Sequence, residues 1–225
     1  MKVLASLALK GAYLELVSAF ERTSGEKIET QWIGMADIRK RMLAGEVIDG
    51  VIGSSGLIED LVNAGMLDSR TRTDIAKSGV GAAVRSGAAK PDLRTLDGFK
   101  NALSAAKSIV YSSGPSGVYL AELFQRLGMA DELASKATQA PPGVLVGELV
   151  ARGEFELCFQ QLPELRQVKG IDYVGPLPAE VQLMTVFSGA VHSRSSEPKA
   201  ASAWLKHLAS RDVQPVMRKH GFEPV

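Results

Sequence analysis

Five turns, each containing at least one glycine, stand directly before helical stretches, and a helix start is where a chain can hold an anion with its backbone alone. They are Leu7 to Gly11, Gly34-Met35-Ala36-Asp37, Gly53-Ser54-Ser55-Gly56, Ser112 to Gly117 and Pro141-Pro142-Gly143. The exposed N–H groups and the positive end of the helix dipole attract negative charge without a basic side chain. Ser116 adds a hydroxyl to one turn and Ser54 to another, although a serine there is equally a helix cap. One such turn is punctuation. Five at the strand ends of two βα blocks make a ligand site the better reading, because open α/β sheets bind ligands at those ends.

Other chemistries lack their residues. Gly79-Val80-Gly81 is missing the third glycine of a dinucleotide fingerprint, and no phosphate-loop lysine motif occurs. Gly114-Pro115-Ser116-Gly117 sits where a nucleophile elbow would, but it is not glycine-x-serine-x-glycine and no histidine follows at triad distance. The 3 histidines, His192, His207 and His220, all lie in the last fifth of the chain, and Cys158 is the 1 cysteine. Neither a disulfide nor a zinc site can be built from that inventory, so no metal and no cofactor are expected. With 26 basic and 25 acidic side chains, the net charge of +1 offers no footprint for nucleic acid. Lys10, Arg39 and Arg85 are cations able to meet a carboxylate, weighed against the commoner solvated surface role. Trp32 and Trp204 read as core, Cys158 as a small buried hydrophobe, and His207 and His220 as surface residues.

The elements that must position these turns follow from the apolar periodicity. Val3 to Leu7 reads as a buried strand. Tyr13, Leu16, Val17 and Phe20 then mark an amphipathic helix stopped by Gly25. Strands at 27–33 and 47–52 alternate with helices at 38–43, behind Asp37 as N-cap, and around Leu57 to Val62. Three βα units in succession call for a parallel, helix-covered sheet. A second block has strands at 79–84, 109–112, 155–160, 171–174 and 182–191, and helices at 96–106, after Gly117, and at 144–151. Helices around Ala200 to Leu208 and Val213 to Lys219 close the chain. No run of 18 apolar residues occurs, so nothing reads as a membrane span.

Several phrases are those of a known family. Val3-Leu4-Ala5-Ser6-Leu7-Ala8-Leu9-Lys10, then Ala19-Phe20-Glu21-Arg22-Thr23-Ser24-Gly25, resembles the opening of the type II periplasmic solute-binding proteins, in their molybdate-binding branch. The resemblance runs on through Arg41 to Gly45, Asp49 to Ile52, Gly79 to Arg85, Ser116 to Tyr119, Leu127-Gly128, Val150 to Glu154 and Lys219 to Phe222. It implies an α/β fold of two lobes joined by two crossover strands, with a ligand cleft between the lobes. Carried over, lobe one is 1–78 plus 190–225, lobe two is 79–189, and the crossovers lie near 78–84 and 184–190.

The resemblance also places the ligand contacts. The family's first two hydroxyl donors fall on Ala8, beside Leu9, and on Met35 or Ala36. The third position is Ser116, beside Gly117, the fourth is Gly143, and the family's tyrosine falls on Gln161; Ser54 joins them from its own turn. Two lost hydroxyls dismantle the oxyanion cage, so weak or no binding of molybdate and tungstate is expected. The leading expectation is a solute-binding protein that captures a small organic anion, a carboxylate, for the membrane subunits of an ABC-type transporter. Such a protein works as a monomer, in the periplasm if a signal peptide has been removed and in the cytoplasm otherwise. The alternative is an enzyme like the aconitate-isomerase members, which shifts a double bond by proton transfer and needs a base. Glu164, near Gln161, is a candidate base, weighed against the blander reading of a surface helix carboxylate. No catalytic residue is assigned.

Overall fold

The computed structural model describes residues 1–225. They form two compact units, Met1–Ser78 with Thr185–Val225, and Gly79–Met184. In the first, β1 (Lys2–Ser6), α1 (Lys10–Ser24), β2 (Glu29–Ile33), α2 (Met35–Leu43), β3 (Gly50–Ser54) and α3 (Ser55–Asn63) follow in turn. β1 pairs in parallel with both neighbours, Leu4 lying opposite Gln31 on β2 and Val51 on β3. Each crossover is a helix, as parallel pairing requires. β9 (Met184–Val191) returns antiparallel along β3, and the order β2-β1-β3-β9 continues to β4 (Thr73–Arg85). α9 (Pro198–Leu208) and α10 (Gln214–Lys219) complete the unit.

Strand periodicity gives this unit two cores. Leu4 and Val51 face Ile38, Met42, Ile58 and Leu61, whereas Val3, Ala5 and Ile52 face Tyr13, Leu16, Phe20 and Trp204. Both faces of β1 are therefore covered, which is why its sequence is a continuous apolar run rather than an alternation. Tyr13 meets Trp32 and Trp204 edge-on, each with ring centres 4.8 Å apart. α1 ends at Gly25, whose φ of 75° is left-handed and open to glycine at no steric cost.

The second unit contains the later half of β4, then α4 (Leu96–Ala105), β5 (Ile109–Tyr111), α5 (Pro115–Arg126), α6 (Ala130–Leu133) and β6 (Ala137–Gln139). α7 (Val146–Ala151), β7 (Leu157–Gln161), α8 (Leu162–Leu165) and β8 (Ile171–Pro176) follow. Strand order is β4-β7-β5-β6, with β8 also on β4. β7 is antiparallel to β4 and parallel to β5, so the carboxyl ends of β5 and β7 emerge side by side. Phe99 and Phe159 meet edge-to-face in one core, with centres 5.8 Å apart, and Val110, Val146 and Cys158 fill the other. Burial pushes the Cys158 thiol up to about 12, so it stays protonated and inert.

Several expectations are corrected. Gly34, not Asp37, caps α2; Asp37 lies inside its first turn. β4 runs from Thr73 rather than Gly79, because β9 and then β7 and β8 pair along a stretch of small residues with no strand signature of its own. The chain passes from the second unit back to the first between Met184 and Thr185, at the start of β9, whose residues from Phe187 pair with β3. β6, α6 and α8 are too short for periodicity to reveal. His207 is half-buried and stacked on Trp204 at 5.6 Å, and half-buried His220 lies 3.0 Å from the Glu15 carboxylate, so neither is a free surface residue.

Trp204 is fully buried and joins α9 to Tyr13 and Phe20 of α1. Trp204→Ala should therefore lower unfolding stability by about 3–5 kcal/mol, the range for deleting a buried aromatic. Chemical denaturation of the two proteins measures it, and a loss below about 1 kcal/mol would contradict this packing.

Candidate functional site

The second unit builds its strand-end turns from buried polar groups. Ser112 and Ser116 are both buried, and their hydroxyls are 2.9 Å apart. Ser116 lies in the first turn of α5, behind Gly114 and Pro115, where proline's missing N–H costs nothing. The turn closes tightly. The N–H groups of Gly117 and Val118 donate to the Gly114 carbonyl, and Gln139 Nε2 donates to the Ser112 carbonyl at 3.3 Å. A Cβ on Gly117 would lie 1.5 Å from that same Ser112 oxygen, so only glycine lets the chain pass.

The end of β7 supplies the other half. Gln160 and Gln161 are 2% and 3% exposed, an uncommon burial for two adjacent amides, and each needs hydrogen-bond partners. Gln160 Oε1 accepts the Val146 N–H at 3.0 Å, and its Nε2 faces the Val144 carbonyl at 3.5 Å. These bonds hold the segment that follows Pro141-Pro142-Gly143. Gly143 has φ +81° with open space around its Cβ position, so backbone conformation, not crowding, calls for glycine.

Gln161 is the last residue of β7 and the N-cap of α8, and Glu164 falls three residues later. The Glu164 carboxyl accepts from the Gln160 side chain and reaches back to the Gln161 N–H, half of a capping box. Glu164 is half-buried as a residue, and its carboxyl is the enclosed end. Burial pushes that carboxyl up to about 7, against the two hydrogen bonds that favour the charged form. Desolvation wins. Half-buried in α8 and bonded to Gln160 and Gln161, Glu164 is not a freely solvated helix carboxylate.

The first unit presents a different set. Ala8 lies in a short 3-10 turn capped by Ser6, whose hydroxyl accepts the Ala8 N–H at 3.4 Å. Leu9 is wholly buried in the core. Met35 packs partly against both cores, and Ala36 is exposed at the start of α2. Ser54 caps α3 by accepting the Leu57 N–H at 3.3 Å, and Arg39 is ion-paired with Asp60. In the second unit Ser116, Gly117 and Gln161 lie on the carboxyl-end turns of adjacent strands β5 and β7, while Gly143 follows β6. Sequence reasoning passed over Ser6, Ser112 and Gln160. The one available signal was Gln160-Gln161 closing an otherwise apolar strand.

The model of a family described as bacterial extracellular solute-binding protein matches residues 1–223. A curated relative, aconitate isomerase from Pseudomonas sp., is 39% identical over 231 residues, spanning 100% of this chain and 88% of that protein. Among solved structures, the periplasmic molybdate-binding protein of Azotobacter vinelandii superposes with a TM-score of 0.81 at 17% identity, covering 99% of this chain and 98% of that one. A sulfate-binding protein from Mycobacterium tuberculosis gives 0.80 at 18% identity, covering 100% and 86%. The fold is thus the two-lobe type II periplasmic-binding-protein fold, an α/β architecture.

The raised Glu164 value has a definite sign. A carboxyl that holds its proton more tightly when folded contributes stability fully present below about 4.5 and lost as pH rises through about 7. Glu164→Gln removes the ionisation, so at pH 8 the variant should exceed the parent by up to about 3 kcal/mol and match it near pH 4. Melting curves at the two pH values test this; equal pH dependence in both proteins would place the carboxylate in water. Gly117→Ala should cost about 1–3 kcal/mol or more through the clash with Ser112, read by the same melts.

Proposed function

The chain belongs to the bacterial extracellular solute-binding protein family, and we propose that it binds a small polycarboxylate and shifts a double bond in it, as an aconitate isomerase does. The observation that carries this reading is the placement of Glu164, a carboxyl in the first turn of α8, three residues beyond the end of β7 and hydrogen-bonded to Gln160 and Gln161, where burial raises its proton affinity toward neutral pH. A group that is half-protonated near neutral pH can take a proton and return it. Pure binding has no use for such a group, and its ionisation reduces stability. The curated aconitate isomerase, similar along the whole chain, supports the same reaction.

The chemistry is an allylic proton transfer. Glu164 as carboxylate removes a proton from the carbon next to a substrate carboxylate; the electron pair moves through the double bond, and the protonated Glu164 delivers the proton at the far carbon. No atom is gained or lost. Ser116 and Gln161 hold substrate carboxylates by hydrogen bonds, with the α5 dipole adding to the attraction. Neutral donors suit this task, since a nearby cation would pull the base down from its working range.

A second reading is favoured by the shared fold of the molybdate- and sulfate-binding proteins. In it the chain captures the carboxylate outside the cytoplasm and delivers it to the membrane subunits of an ABC-type transporter, without chemistry. No helix is long and apolar enough to cross a membrane, so delivery would depend on such subunits.

Both readings expect tight binding of di- or tricarboxylates and weak binding of molybdate. Incubation with cis-aconitate and detection of trans-aconitate separates them. Turnover lost by about 10²–10⁴-fold in Glu164→Gln, with binding retained, supports the isomerase. Tight binding with no turnover in the parent supports transport. Ser116→Ala should weaken binding by about 1–3 kcal/mol in either case, by calorimetry; unchanged affinity would move the site away from α5.

A further inference from the structure

We infer that Gln160 is a positioning residue that ties the segment Val144 to Val146 to the Glu164 carboxyl, so that the seating of this segment sets the orientation of the base. The inference rests on the proton-transfer reading of Glu164. Three partners converge on one carboxamide. Val146 N–H donates to Oε1 at 3.0 Å, Nε2 faces the Val144 carbonyl at 3.5 Å, and the side chain also bonds Glu164. Because Oε1 must accept from an N–H, the amide cannot be turned round, and its NH₂ end is the end left for the two oxygens. Gln160 is 2% exposed, so water does not replace a partner that moves away.

The placement on the strand explains why a side chain here can reach both. Gln160 lies on β7 opposite Gly81 of β4, one residue before the N-cap of α8. Pro141-Pro142-Gly143 leads directly into the segment it holds, so a ligand seated on Gly143 would act on Val144 and, through Gln160, on the base. α8 packs on β7 and α7, which carry Cys158 and Glu148, with Arg152 capping α7 and Arg166 following α8; α7 packs in turn on β8, which carries Asp172 and Tyr173. What governs Glu164, however, is burial set against the Gln160 and Gln161 donors. The same Gln160 donor that fixes the carboxylate's direction also favours its charged form.

Gln160→Glu keeps the acceptor for Val146 but removes the donor to Glu164 and adds a competing carboxyl. Gln160→Met keeps the length and removes both functions. For Gln160→Glu we expect the midpoint of the rising limb of kcat against pH, with cis-aconitate, to move up by about one pH unit, and kcat at pH 7 to fall by about tenfold with a smaller change in KM. Gln160→Met should raise KM as well, since Val146 is released. The pH dependence of melting gives a readout without activity. Its loss of stability toward neutral pH should move to higher pH in Gln160→Met, and this displacement should vanish when Glu164→Gln is added. An unchanged pH profile and an unchanged melting window in both variants would overturn the inference. A parent that turns over no aconitate, yet whose melting window moves with Gln160→Met and not in the double variant, sinks the isomerase reading while the coupling of Gln160 to Glu164 stands.

Discussion

A polar side chain inside a packed strand end costs stability unless it is hydrogen-bonded, and in the second unit those hydrogen bonds converge on Gln160. Leaving a buried amide unsatisfied costs about 1–3 kcal/mol per group. That penalty draws Val146 onto the Gln160 oxygen and keeps Glu164 against its amide. Three segments far apart in purpose, a proline-rich turn, a strand end and a four-residue helix, are thereby held to one another by a single carboxamide. Apolar residues at 160 and 164 would remove this coupling and take away the acceptor of the Val146 N–H.

The neighbouring turn solves a related problem by omission. Ser112 and α5 approach so closely that Gly117 can carry no side chain, and the hydroxyls of Ser112 and Ser116 are left in contact inside the turn. Small size and hydrogen bonding act together: the missing Cβ permits the approach, and the approach buries the hydroxyls. The first unit uses caps instead. Ser6 and Ser54 spend their hydroxyls on the N–H groups of Ala8 and Leu57, which fixes its turns. Each unit holds an enclosed carboxyl, Asp49 in the first and Glu164 in the second, and the two adjacent buried amides, Gln160 and Gln161, lie in the second.

An enclosed carboxyl near 7 is destabilising where the protein is charged at that site, and proteins generally tolerate such groups where they are used. Fold alone does not imply function, so the distinction between a binder and a catalyst rests on the site. Binding a polycarboxylate asks only for donors and shape. Moving a proton on it asks for a group that changes charge within the working range.

Much of the scaffold was legible in the chain. The apolar run Val3 to Leu7, the periodicity of Tyr13, Leu16, Val17 and Phe20 and the stop at Gly25 are local signals, and they give the βα units their order. The helix-start turns were visible for the same reason, including Ser116 in its own turn. β4's full length and the short β6 were not, because pairing partners distant in sequence decide them, and four-residue α8 and the backbone cap of α2 at Gly34 carry no side-chain signature. Glu164 shows the limit most clearly. Its sequence surroundings, Gln161-Leu162-Pro163-Glu164, read equally as a surface helix start, and only the packing of α7 and β7 around it removes water from the carboxyl. Residue type and spacing determine which groups can take part in chemistry; desolvation, which depends on everything packed nearby, decides the protonation state in which they do so.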